Sequence, residues 1–95
     1  MAEKKAVHVN ISGRVQGVNF RMETARAAEG HGVNGWVMNK SDGSVDAYFE
    51  GDADKVDAML NWCWKGPAMA SVKNVAATEE PYQGKYNDFS VRHTF

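Results

Sequence analysis

With 95 residues, a single cysteine and a net charge of -1, the chain has room for one compact domain burying roughly 60–65% of its unfolded surface, and none for two independent cores. The lone Cys63 excludes an internal disulfide and a cysteine metal cluster. A composition of 43% hydrophobic and 24% charged residues is that of a soluble globular protein, without the basic field that a nucleic-acid partner demands.

The charged opening (Glu3, Lys4, Lys5) has neither the apolar core of a secretion signal nor a run long enough to span a bilayer. Residues 1–5 are expected to form a flexible terminus ahead of a single domain at 6–95, with a cytoplasmic location and no membrane partner as defaults. Residues 6–12 then alternate strictly, Val7, Val9 and Ile11 on one face against His8 and Asn10 on the other, which predicts a first strand. Between this strand and the next element lie Gly13 and Gly17, followed by Arg21. Residues 20–31 are strong helix formers with Gly30 and Gly32 as stop signals, and Ala25 and Ala28 give the helix a small face for close packing on a sheet.

Residues 33–39 and 44–50 read as two apolar and aromatic strands. Asp42-Gly43 between them favours a tight reversal, so an antiparallel hairpin is predicted. Asp52 is placed to cap a second helix, on which Val56, Met59, Leu60 and Cys63 fall at i, i+3, i+4 and i+7 before Gly66-Pro67 ends it. A strand at 71–78, a polar loop at 79–87 and a closing strand carrying Phe89, Val91, His93 and Phe95 complete the chain. The order strand, helix, strand, strand, helix, strand, with a short extra strand, is that of an α+β ferredoxin-like α/β sandwich. Its two helices would cover one face of an antiparallel sheet.

The first loop carries the chemistry. Glycines at 13 and 17 can take backbone angles closed to other residues, so N–H groups can converge at the positive end of the helix that follows. Arg21, in that helix's first turn, adds a planar fork matching phosphate oxygens. A glycine turn alone is weak support, because most such turns only reverse the chain. The loop gains specificity from a second glycine-spaced segment holding Gly35, Asn39, Gly43, Val45 and Gly51.

Together these segments resemble the two signatures of the acylphosphatase family. The first runs apolar residue, any, Gly, any, Val-Gln-Gly-Val, any, aromatic or Met, Arg, and stands here as Ile11-Ser12-Gly13-Arg14-Val15-Gln16-Gly17-Val18-Asn19-Phe20-Arg21. The second spans Gly35 to Gly51, and the resemblance extends over nearly the whole chain. It implies a ferredoxin-like fold and hydrolysis of acyl phosphates to a carboxylate and inorganic phosphate; no cluster of acidic residues in the sequence resembles a magnesium site, so no metal or cofactor is expected. The resemblance also implies Arg21 as the phosphate-binding arginine and Asn39 as the residue that orients the attacking water. The backbone cradle would be Val15, Gln16, Gly17, Val18, Asn19 and Phe20. An uncharged carboxamide suits water beside an anion that a carboxylate would repel, and a carboxylate leaving group with a pKa near 4 needs little help from a general acid.

Other residues read as structural. His8, His31 and His93 share no metal-ligand spacing, Cys63, Trp62 and Trp64 suit packing, with an exposed tryptophan pair pointing instead to a contact surface, and Arg14 is left outside the catalytic set. Met22 looks like filler, Asn19 like a solvent-facing turn residue or one whose side chain contacts the loop or a substrate, and Lys40 stands where some relatives carry a hydroxyl. Competing readings are an RNA-recognition module, for which residues 44–49 lack the stacking-aromatic motif, and a phosphate-binding domain repurposed as a regulator. A monomer is expected.

Overall fold

The computed structural model describes residues 3–93. Its elements are β1 (Lys4–Arg14), α1 (Phe20–His31), β2 (Asn34–Asn39), β3 (Val45–Asp52), α2 (Ala53–Lys65), β4 (Ser71–Glu80) and β5 (Phe89–Arg92). The sheet order is β4-β1-β3-β2-β5. Most of the strand pairs are antiparallel, but β5 runs parallel to β2, so the sheet is mixed where an antiparallel one was expected. The reason is topological, because a strand that follows β4 and docks beyond β2 arrives from the same end as β2.

Alternation along the strands separates two faces. Val7, Val9 and Ile11 of β1, Val37 of β2, and Val45, Ala47 and Phe49 of β3 point to one side, where Phe20 and Ala28 of α1 and Val56, Met59 and Cys63 of α2 close over them. Thr24 is also fully buried there, its hydroxyl donating to the Phe20 carbonyl one turn back at 2.7 Å.

Three local expectations are corrected. Lys4 and Lys5, placed in the flexible terminus, are the first residues of β1 and pair with Asp52 and Gly51 of β3. Asp52 does not cap α2 with its side chain. Its carboxylate instead accepts from Lys4 Nζ at 2.6 Å, which holds it below the usual carboxylate range, while the first helical N–H, at Ala53, donates to the Glu3 carbonyl at 2.8 Å. The main chain of the N-terminal segment thus satisfies one of the free N–H donors at the start of the helix. Finally, β4 extends to Glu80, and β5 ends at Arg92, leaving His93 outside the closing strand. Phe95 and the first two residues of the expected terminus lie outside the described residues.

Residues 81–88 turn back over the face without helices. The backbone N–H of Tyr86 donates to Glu50 Oε2 at 2.9 Å, and its ring meets that of Tyr48 edge-on at 5.5 Å. The cover leaves Glu50 only 1% exposed, with Tyr48 Oη as a second donor. Burial, reinforced by the Glu50 charge, pushes the Tyr48 phenol up to about 12. Among the described residues no helix is long and apolar enough to cross a membrane.

Two predictions follow from this packing. Gly13 lies at a register shift in the β1–β4 pairing with φ 122°, where a Cβ would overlap Ser71 O and come within 2.7 Å of Lys73 N. Gly13→Ala should therefore cost about 2–4 kcal/mol in urea unfolding. The raised Tyr48 pKa means the unfolded chain loses this phenolic proton first, so this group's contribution to stability is present below about pH 10 and is lost between there and about pH 12. An alkaline absorbance titration should show a phenol ionising near pH 12, and Tyr48→Phe should remove that step.

Candidate active site

The site starts two residues later than the glycine pattern suggested. Gly13 is consumed by the close approach of β1 to β4 and does not line the cleft, and Arg14, at the end of β1, is exposed and also outside it. From Val15 onward the chain crosses to α1 with its apolar side chains inward. Val15 is 1%, Val18 9% and Phe20 2% exposed. Phe20 is the first residue of α1 and packs edge-on against Trp62 of α2 at 5.5 Å, filling the space beside Gly66. With these side chains fixed below, the backbone is left facing outward. Gly17 (φ 74°) and Asn19 (φ 67°) both adopt left-handed conformations, and Asn19 is the residue immediately before the helix.

The result is a cleft of about 210 Å³ lined by Val15, Gly17, Asn19, Phe20, Arg21, Met22 and Asn39. Four of the six expected cradle residues are in its wall, together with both expected catalytic side chains. Val18 points into the core, and the Gln16 carboxamide reaches away to donate to the Lys40 and Ser44 carbonyls at 2.7 and 2.8 Å. Arg21 is held from behind, its Nη1 donating to the Arg92 carbonyl at the end of β5 at 3.1 Å. The cleft opens at the N-terminus of the 12-residue α1, where unpaired N–H groups and the helix dipole favour an anion. Glu23, the acidic residue of that turn, lies 3.7 Å from Arg26 and 3.4 Å from the Asn19 amide.

Asn39 ends β2, and the turn beyond it is tightly bonded. Lys40 N–H donates to the Ser44 carbonyl at 2.8 Å, and Gly43 N–H to the Lys40 carbonyl at 3.1 Å. Ser44 donates to Asp42 Oδ1 from both its hydroxyl (2.6 Å) and its N–H (2.9 Å), which holds the Asp42 carboxyl below the usual range. The Lys40 ammonium lies 4.0 Å from Asp46, on the face away from the helices.

Two features of the site were not read from sequence. Met22 was taken for filler, yet it is 57% exposed and forms part of the cleft wall. Its position next to Arg21 in the first helical turn was the available signal. The Arg92 carbonyl that steadies Arg21 had none, because a backbone acceptor 71 residues away leaves no trace in residue type. Of the residues read as packing, Cys63 and Trp62 are in the interior or against it, whereas Trp64 is exposed. Cys63 is buried, which raises its thiol to about 12, His8 pairs with Asp46 at 3.1 Å, and Trp64 is 52% exposed while Trp62 packs on Phe20. Among the described residues no three His, Cys, Asp or Glu side chains converge as metal ligands do.

Fold and cleft together define a small ferredoxin-like α/β sandwich whose site is built where its first strand gives way to its first helix. The Acylphosphatase family profile matches residues 7–91. An acylphosphatase of Pelotomaculum thermopropionicum is 45% identical over 84 residues, covering 88% of this chain and 91% of the relative. One of Rubrobacter xylanophilus is 50% identical over 90 residues, covering 95% and 82% respectively. The solved acylphosphatase structure from Coxiella burnetii superimposes with a TM-score of 0.89 at 39% identity, covering 94% of this chain and 93% of that one. The chain belongs to the acylphosphatase family and is an enzyme of that family.

Asn19 carries a testable strain. As the one non-glycine residue with positive φ among the described residues, it should accept glycine with little loss of stability, whereas Asn19→Ala should cost about 1 kcal/mol and Asn19→Val more. Urea midpoints of the three variants check the order.

Proposed function

We propose that this enzyme hydrolyses acyl phosphates, gripping the phosphoryl group in the loop at residues 15–20 with Arg21 and presenting water from Asn39. The observation that carries the reading is that Arg21 and Asn39, from different elements, line one cleft with the backbone of that loop. A volume of about 210 Å³ suits a phosphoryl group and the first atoms of an acyl group.

In this reading the Arg21 guanidinium and the outward N–H groups bind the phosphoryl oxygens, each charge-assisted hydrogen bond contributing on the order of 1.5–3 kcal/mol. They are fixed before substrate arrives, so they stabilise charge on the transferring group without reorganising. The Asn39 carboxamide accepts a hydrogen bond from the water and aims its oxygen at phosphorus. The new P–O bond forms as the bond to the acyl oxygen breaks, and the carboxylate departs with the electron pair. The proton of the water passes to a phosphoryl oxygen of the substrate, and inorganic phosphate remains. Positioning supplies most of the acceleration, because the leaving group is already a stable anion. Metal-independent hydrolysis is part of the proposal.

Loss of benzoyl phosphate is the test. The wild-type rate should be the same with and without a chelator. Arg21→Ala and Asn39→Ala should each slow turnover by about 10²–10³-fold, and Arg21→Lys should be severely impaired because a point charge cannot reproduce the fork. A folded wild type that leaves benzoyl phosphate intact would overturn the proposal, and an Arg21→Ala variant retaining most activity would overturn the site.

A further inference from the structure

We infer that the Gln16 side chain is a positioning residue that locks the phosphate loop to the strand end carrying Asn39; the inference rests on the function proposed above. Gln16 sits in the middle of the loop, yet its Nε2 leaves the cleft and donates to two carbonyls at once, Lys40 at 2.7 Å and Ser44 at 2.8 Å. These carbonyls flank the turn that begins immediately after Asn39.

Neither carbonyl needs Gln16 as its partner. Lys40 O already accepts from Gly43 N–H, and Ser44 O already accepts from Lys40 N–H. The turn is closed further by Asp42, and by Asn10, whose Nδ2 donates to Ser44 Oγ at 3.0 Å and to Asp46 at 2.8 Å. Removing the Gln16 amide therefore leaves no acceptor orphaned and leaves the turn intact. What disappears is the link between two separately anchored pieces, the loop pinned by Val15, Val18 and Phe20 and the β2–β3 turn pinned through β1 and β3. Hydrolysis needs the phosphorus held by the first and the water held by the second at one fixed separation, and a displacement of the order of 1 Å is enough to cost about 10²-fold in rate. The bond pair sets that separation because both donors are on one nitrogen, so the two carbonyls cannot drift relative to the loop without losing one of them.

The experiment compares Gln16→Met, which keeps length and removes the donors, with Asn39→Ala and the double variant, reading kcat on benzoyl phosphate, competitive inhibition by inorganic phosphate, and urea unfolding. Gln16→Met should lower kcat by about 10–100-fold while phosphate inhibition and the unfolding midpoint stay near wild type, and the double variant should be as slow as Asn39→Ala alone, since both act through one water. Wild-type kcat in Gln16→Met, effects that multiply in the double variant, or weakened phosphate inhibition with kcat retained would each overturn the inference. Should Gln16→Met fail to fold, Gln16→Glu carries the test. Its carboxylate faces two carbonyls at neutral pH and becomes a donor again on protonation, so its rate relative to wild type should rise as the pH falls toward about 4.3, and a flat ratio overturns the idea. A wild type inactive on benzoyl phosphate defeats the proposed function itself, whereas an active one slowed by Asn39→Ala but not by Gln16→Met defeats only this inference.

Discussion

Burial of Val15, Val18 and Phe20 turns the backbone between β1 and α1 outward, and the cleft depends on that inversion. A short connection usually spends its main chain on internal hydrogen bonds and its side chains on solvent. Here the side chains are committed to the core, at roughly 1.5–3 kcal/mol for each buried apolar group. That is of the same order as the roughly 1–2 kcal/mol needed to order each residue of the connection. The loop is accordingly held by the same packing that joins the two helices, through Phe20 and Trp62. Its geometry therefore belongs to the core more than to the surface.

The two faces of the sheet divide the remaining work. One is the apolar interior beneath α1 and α2. The other carries polar and aromatic groups, His8, Asn10, Trp36, Asp46, Tyr48 and Glu50, which the segment at 81–88 partly roofs through Tyr86. A polar group buried on that side is affordable only because each has a partner, as Glu50 has in the Tyr86 N–H. This polar layer also reaches the site. Asn10, itself held by Asp46, braces Ser44, Ser44 braces the turn after Asn39, and the cleft's second wall is thereby tied to the face of the sheet away from the helices.

The architecture was legible wherever residue type and periodicity are direct consequences of burial. Strict alternation at Val7, Val9 and Ile11 and the helical spacing of Val56, Met59 and Cys63 are such cases, and both reappear as core faces. Arg21 and Asn39 were singled out by the motifs around them, and both line one cleft. Signals failed where two explanations share one residue. Gly13 reads equally well as part of an anion loop or as the seat of a bulge, and only the approach of Ser71 and Lys73 distinguishes them. Asp52 has the right type and place for a cap, but a lysine on the neighbouring strand competes for its carboxylate. Bonds to backbone carbonyls, such as those made by Gln16 and Arg21, were invisible because every residue supplies the same acceptor.

The bond from Arg21 to the Arg92 carbonyl has a consequence for how the protein matures. It joins the beginning of the first helix to the end of the last described strand. During synthesis the loop and helix emerge early, but the guanidinium lacks this support until β5 has left the ribosome and docked beside β2. Helical turns form quickly and distant strand pairings slowly, so a nascent chain with both helices in place would still hold its arginine unbraced. The bracing of Arg21 is thus a property of the completed sheet, and it forms only once β5 is home.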